Sequence, residues 1–290
     1  MKVLGAILSV LFLTSVTAGA QPASAEQSSD RGTVGELVRK LVAHRGAGSI
    51  KPKVIGLDSA DSSFLFAAAG SVHGVGGTYF RSDVTIFNYR SVSQRIALGW
   101  IAQGVDNSAA PLQYMTLDAN TPYILPDFVP TTLGQTGLGA VLISGVTSTG
   151  DPDSSALLGG FSRIWTPQPG QNGSVSQAFP SVSVLDSLGG DPAWALGNRH
   201  DGDFRTNVGI VNLDSVAHDW TVGVNGLLGE TSFSVSVLPV SMRQVPLPAG
   251  TYGDLVLSFE STGFDFGWSA YGASVDNISG DSWTSHGSQP

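Results

Sequence analysis

The strongest constraint on this chain is that it carries one pattern twice. FRSDVTIFN at 80–88 is answered by FRTNVGIVN at 204–212, an offset of 124. The offset persists in the next segment, where Ile96, Leu98 and Trp100 alternate in one half and Trp220, Val222 and Val224 in the other. Further on, YILPDFVP at 123–130 lines up with RQVPLP at 243–248, and GAVLISG at 139–145 with GDLVLSF at 253–259. GFSRIW at 160–165 then answers GWSAYG at 267–272, and NGSVSQ at 172–177 answers DNISGD at 276–281. The order is kept while the offset falls, as in a duplicated unit whose loops have changed length. Two copies are expected, 63–175 and 176–290.

Each copy consists of short alternating runs separated by Gly, Asn, Asp and Pro, with no helical pattern long enough to cross between parallel strands. The fold class that follows is all-β: two tandem antiparallel β-sandwiches of immunoglobulin-like or jelly-roll-like type. In 232–238, Phe233, Val235 and Val237 can face a core while Ser232, Ser234 and Ser236 face water, and a one-residue slip would expose the whole apolar set. Ahead of the copies, 26–62 reads as a leader. Thr33 and Glu36 form a capping-box pattern, Val34, Leu37, Val38 and Leu41 recur at helical spacing, and Gly46 stops the run. A short helix docked on the first copy, or a mobile leader, is expected, with a partner-binding helix as the alternative, followed by a linker over 46–62.

Residues 1–25 read as a secretory signal peptide. Lys2 supplies the charge, Val3 to Leu13 the apolar run, and Ala-Gln-Pro-Ala-Ser-Ala at 20–25 the small-residue cleavage site. That apolar run is shorter than a membrane span of about 20 residues, so no membrane insertion is expected, and the setting is extracellular or periplasmic. The chain has no cysteine, which excludes disulfide and thiolate-metal frameworks. All four lysines, Lys2, Lys40, Lys51 and Lys53, precede residue 54. From residue 63 onward seven arginines face eighteen acids, 7 − 18 = −11, a balance that disfavours nucleic acid and anionic lipid.

FRTNVGIVN preceded by ALGNRHDGD, the closing YGASVDNISGD, and in the first half FLFAAAGSVHGVGGTYFRSDVTIFN (64–88) and NGSVSQAFPSV (172–182) carry a resemblance. Over about 63–285 the chain resembles tandem modules of large secreted proteins of acidobacteria and related environmental bacteria. The resemblance implies the module boundaries and an extracellular setting, and it transfers no catalytic residue.

For chemistry, no G-x-S-x-G elbow and no H-E-x-x-H spacing occurs, so neither a serine hydrolase nor a zinc hydrolase is indicated. The expectation is a non-enzymatic binding or surface-structural protein, in adhesion or polysaccharide binding; the alternatives are a subunit of an extracellular assembly and a secreted hydrolase. Self-association is allowed, and the partner is an extracellular polysaccharide or a surface protein. Trp194 and Trp283 lie outside the alternating patterns and are candidate sugar-stacking rings, the structural alternative being that each folds back over a sandwich end, whereas Trp100, Trp220 and Trp268 read as core. Arg81 and Arg205 recur in the two copies as candidate anion or glycan contacts; the structural alternative gives each a packed stem and a head bonded to Asp83 or nearby carbonyls. Asp151 with Asp153, and Asp201 with Asp203, sit in turns that could offer oxygen ligands to calcium, although turn chemistry alone accounts for them.

Overall fold

In a computed structural model, described for residues 32–45, 61–74, 77–168, 172–184, 189–261 and 267–289, the chain is all-β, with a short N-terminal helix. The signal-peptide region and most of the predicted linker lie outside the described residues.

Helix α1 (Val34–Arg45) begins where the capping pattern puts it, the Glu36 amide donating to Thr33 Oγ1 at 3.2 Å. The first half contributes β1 (Ser63–His73), β2 (Tyr79–Asn88), β3 (Gln94–Ala102), β4 (Gln113–Leu117), β5 (Pro122–Leu125), the one-turn α2 (Phe128–Thr131), β6 (Gly137–Gly145), β7 (Leu158–Pro167), β8 (Ser174–Pro180) and β9 (Val182–Ser183). The second contributes β10 (Ala193–His200), β11 (Phe204–Asn212), β12 (His218–Gly226), β13 (Glu230–Val237), β14 (Ser241–Pro246), β15 (Gly253–Glu260), β16 (Trp268–Asp276) and β17 (Ser282–His286).

Strand order repeats between the halves. In the first, β5-β2-β7-β8 (sheet I) packs on β1-β6-β3-β4 (sheet II); in the second, β14-β11-β16-β17 (sheet III) packs on β10-β15-β12-β13 (sheet IV). β1 also bends across to pair with β2 through Val72 and His73, which joins sheets I and II. The predicted boundary at 175/176 falls inside β8, which pairs with β7 along its whole length. The sequence matches also need adjustment at two strands. The pairs Thr85 with Phe161 and Gly209 with Tyr271 make Phe161 the counterpart of Tyr271. GFSRIW is thus three residues out of register with GWSAYG, and the corresponding pairs Leu98 with Ile143 and Val222 with Phe259 shift GAVLISG by two.

The repeated F-R-[S/T] signature has a structural cause. In each half the first strand bulges, between Phe66 and Ala69 in β1 and between Ala195 and Asn198 in β10. A bulge frees backbone groups from the ladder. In the first half Ser82 Oγ accepts from the Gly70 amide at 2.7 Å and donates to its carbonyl; in the second, Thr206 Oγ1 donates to the Arg199 carbonyl and lies 2.9 Å from Ser274 Oγ, which accepts from the Arg199 amide. Asn88 and Asn212, which close the same motif, are both buried and give their amide N–H groups to carbonyls of the two following loops.

Three apolar cores separate the four sheets. One lies between sheets I and II around Phe64, Phe66, Trp100 and Phe128. Another lies between sheets III and IV around Trp220, Phe259 and Trp268, so the three tryptophans read as core are core. The third joins the halves: Leu65, Ala67, Ile101 and Leu142 of sheet II meet Val211, Met242, Tyr271 and Ala273 of sheet III, with Val34, Leu37, Val38 and Leu41 of α1 filling one side. Sheet II is therefore covered on both faces, the physical reason for its unbroken apolar runs FLFAAA and AVLI. Small residues let the layers close, as at Gly99, where a Cβ would stand 3.2 Å from Val34 Cγ2. Polar bonds lock the same seam. The Gly104 amide donates to the Met242 carbonyl at 3.0 Å, and buried Asn107 donates from its amide side chain to the Val240 carbonyl at 3.0 Å.

Candidate functional site

Docking of sheet III on sheet II uses one outward face in the second half and leaves its counterpart in the first half uncovered among the described residues. That counterpart is the outer face of sheet I, formed by the odd-numbered residues of β2 and β7 with the even-numbered residues of β5 and β8. Where the second half buries Val211, Met242 and Tyr271, the first half places Phe87, Pro122 and Phe161. Phe161 is 46% exposed and Ile124, opposite Thr85 on β5, is 66% exposed. Contiguous exposed apolar side chains of this kind mark interaction surfaces more often than scattered ones do.

Beside this stripe, four side chains form a square across β2 and β7: Arg81 opposite Trp165, and Asp83 opposite Arg163. The Arg81 guanidinium carbon lies 5.7 Å from the Tyr79 ring centroid and 5.6 Å from that of Trp165, and the Arg163 carbon also stands 5.6 Å from Trp165. Both distances fall within cation–π range. The predicted bond from Arg81 to Asp83 does not form; Asp83 Oδ1 instead accepts the Asp127 amide at 3.0 Å, at the head of α2. Arg163 donates to Ser174 Oγ at 3.0 Å on β8. Three N–H donors in this cluster, Arg81 Nε, Arg163 Nε and Trp165 Nε1, are enclosed and meet no acceptor among the described residues.

The other predicted ligand residues lie elsewhere. Arg205, the counterpart of Arg81, is exposed and donates to Asn277 Oδ1 at 2.6 Å, holding the β16–β17 turn. The recurrence of arginine thus divides into a turn clamp in one half and an aromatic stack in the other. Trp283 packs edge-on to Phe204 at 5.9 Å, and its indole N–H donates to the Gly197 carbonyl at 2.7 Å, so its polar edge is occupied. Trp194 is 37% exposed, on an edge strand whose backbone at that point pairs with Ser288. Trp194 and Trp283 flank the β10 bulge on the second half, where the Trp283 carbonyl accepts Gln177 Nε2 of β8 at 2.7 Å.

The aspartates proposed for calcium are engaged with cations and turn amides. Asp151 pairs with Lys40 at 2.9 Å, and this hydrogen bond holds the Lys40 ammonium above its usual range. Burial pushes Asp153 up, but bonds from Ser155 and Gln94 and the charge of Arg90 together hold its carboxyl below the ordinary value. Asp201 accepts Arg199 Nε at 2.8 Å and the amides of Asp203 and Phe204, and its carboxyl is held low chiefly by Arg199. Among the described residues no three His, Asp or Glu side chains converge as a metal-ligand set.

A buried His–Asp pair also occurs: His218 Nε2 lies 3.0 Å from Asp214 Oδ2. The neighbouring Ser215 hydroxyl bonds the same carboxylate, donating to Asp214 Oδ1 at 3.3 Å. At the repeat offset, 214 and 218 correspond to Arg90 and Gln94, which are bonded to each other in the same loop of the first half. The pair braces a loop. A groove of about 590 Å³ runs between α1 and the second half, floored by Val38, Val42, Leu213 and Val240, with Arg39 and Asp106 at its rim.

Arg163, Trp165, Phe161 and Ile124 escaped the sequence reading. The alternation Phe161, Arg163, Trp165 on one face of β7 is visible in FSRIW, but the misregistered match to GWSAYG concealed it. No protein-family model matches the chain, and no curated protein matches it either.

Proposed function

We propose that the chain is a secreted, non-enzymatic binding protein of the adhesion or polysaccharide-binding kind, and that it binds through the outer face of sheet I. The observation that carries this reading is the asymmetry between the halves. The same face is apolar and buried in the second half, yet in the first half it combines exposed Phe161 and Ile124 with the Arg81–Trp165–Arg163 stack. Aromatic rings on an open sheet suit the apolar faces of sugar rings, and guanidinium groups supply directed donors at the rim. The export signal read in 1–25 supports an extracellular setting.

The test is retention of the purified chain on insoluble polysaccharides and cell-wall fractions, with calcium and with chelator. Retention on one polymer, abolished in Trp165→Ala and Phe161→Ser but kept in Trp194→Ala, is expected. Retention lost only in Trp194→Ala would move the site to the β10 edge, and no retention on any fraction would remove the polysaccharide reading. A second reading, a subunit of an extracellular assembly, draws on the way sheet III stacks on sheet II, a head-to-tail contact between two copies of one fold. Elution of the chain as a large species in size exclusion would favour it.

A further inference from the structure

We infer that the polymer taken by the outer face of sheet I is a polyuronate, a polysaccharide with a carboxylate on its sugar rings; this rests on the binding reading above and names its ligand class. The first ground is the state of the cations. Lys40, Arg90 and Arg199 each pair with an aspartate, Arg95 donates to the carbonyls of Thr147 and Ser148, Arg39 to that of Gly35, and Arg205 to Asn277. Among the described residues Arg81 and Arg243 have no hydrogen bond or ion pair, and Arg163 has only the Ser174 hydroxyl; Arg243 stands exposed on β14, whereas Arg81 and Arg163 both stack on the Trp165 ring. In a chain with 23 acids and 14 lysines and arginines, Arg81 and Arg163 flank one ring, Trp165, and form no ion pair with Asp83, the carboxylate of their square, so two guanidinium groups are positioned for a carboxylate from outside.

The second ground is the enclosed donors. Arg81 Nε, Arg163 Nε and Trp165 Nε1 have no acceptor among the described residues. A carboxylate accepts at two oxygens and matches a guanidinium in bidentate fashion, so small rotations of these side chains toward it would satisfy donors that the free protein leaves unpaired. Separate rings of the polymer would lie on Trp165 and on Phe161, which share the outward face of β7 four residues, or roughly 13 Å, apart. The serines opposite on β8, Ser174 and Ser176, are exposed and can bond ring hydroxyls.

The third ground is shape. The face is an open four-stranded platform, about 14 Å across at roughly 4.8 Å between strands. A single sugar gains little on such a surface, whereas a chain gains by presenting many equivalent rings to it. Because the protein is net −9, the attraction is confined to the immediate contact, and a polyanion is not steered in from a distance. Asp83 belongs to the same square, but its Oδ1 faces the Asp127 amide, which places the carboxylate seat on the Arg81 side of Trp165.

The test is affinity electrophoresis of the full chain through gels containing polygalacturonate, the same polymer with its carboxyls methyl-esterified, or a neutral glucan. The expected result is retardation by polygalacturonate alone, weakened as salt is raised because the charges are near the surface. Arg81→Gln and Arg163→Gln should each weaken retardation about tenfold, roughly the value of one charge-assisted hydrogen bond, with unchanged melting temperatures that show the fold is intact. Arg81→Lys, which keeps the charge but loses the planar fork, should fall between wild type and Arg81→Gln. Equal retardation by the esterified and charged polymers, or arginine variants that bind as wild type does, would overturn the polyuronate while leaving the binding face standing. Absence of retardation in all three gels would overturn both.

Discussion

The seam between the halves can be tested at one glycine. A methyl group added at Gly209 on β11 would stand 2.0 Å from Tyr271 Cζ and 2.2 Å from Cε1. Tyr271 faces Gly209 directly across the ladder and has nowhere to move. Its ring is fully buried, sits edge-on to Phe179 of β8 at 5.3 Å, and its hydroxyl donates to Gln244 Oε1 at 2.7 Å; the same burial pushes the phenol well above its usual range. Overpacking of a core costs about 1–3 kcal/mol, and displacing the ring strands the Gln244 acceptor at a further cost of about 1 kcal/mol. Gly209→Ala should therefore destabilise by about 3 kcal/mol, which for a protein of this size lowers the melting temperature by roughly 6–12 °C. Tyr271→Ala alone should cost about 3–5 kcal/mol, in line with large aromatic truncations. With the ring gone, Gly209→Ala meets no obstacle, so in the Tyr271→Ala background it should be neutral or slightly stabilising. The two changes are thus coupled by about 3 kcal/mol. Urea midpoints of the four proteins measure this. An equal cost of Gly209→Ala in both backgrounds, or none in the wild type, would refute the packing of Tyr271 into the seam.

The seam also predicts that a fragment of 176–290, deprived of sheet II, will self-associate or melt below the full chain because Val211, Met242 and Tyr271 become exposed; a monomer with the full chain's melting temperature would contradict this. Trp220→Ala, which removes a ring with no exposure set edge-on to Trp268 at 5.9 Å, should cost about 3–5 kcal/mol by denaturation. Thr206→Val keeps the shape but removes the hydroxyl that bonds the Arg199 carbonyl, and should cost about 1–3 kcal/mol. Burial holds the His286 imidazole below its ordinary 6.5, and neither ring nitrogen has a hydrogen-bond partner among the described residues. The unfolded chain therefore takes up that proton first as pH falls: the contribution is complete above 6.5 and is lost below it. The drop in melting temperature between neutral pH and about pH 5 should shrink in His286→Phe, and an unchanged drop would assign the acid sensitivity to other groups.

How much was legible follows from which forces leave a local trace. The one-sided alternation of Ser232 to Val237 predicted β13 and its face because exposure and burial there depend on a single sheet. Thr33 and the apolar spacing behind it predicted α1 for the same reason. What covers a sheet on its second side is a matter of tertiary contact. The runs of β1, β3 and β6 hold the trace of sheet II's double burial, but they do not say whether a helix, another sheet or both provide it. The arginine motif misled in an instructive way. Its recurrence belongs to the neighbouring Ser82 and Thr206, which pin the bulges, while the arginines diverged: Arg205 to a turn, Arg81 to Trp165. Trp165 and Arg163 went unnoticed because their relation to Arg81 depends on strand register, and loops of changed length hid that register.

The most direct test of the binding face is a hydroxyl-radical footprint of the purified chain, free and bound to polygalacturonate, read residue by residue. Protection of Phe161 and Trp165 with Trp194 equally oxidised in both states is the predicted result. Protection at Trp194 in place of Phe161 and Trp165, or no protection despite bound polymer, would contradict the assignment of sheet I as the binding surface.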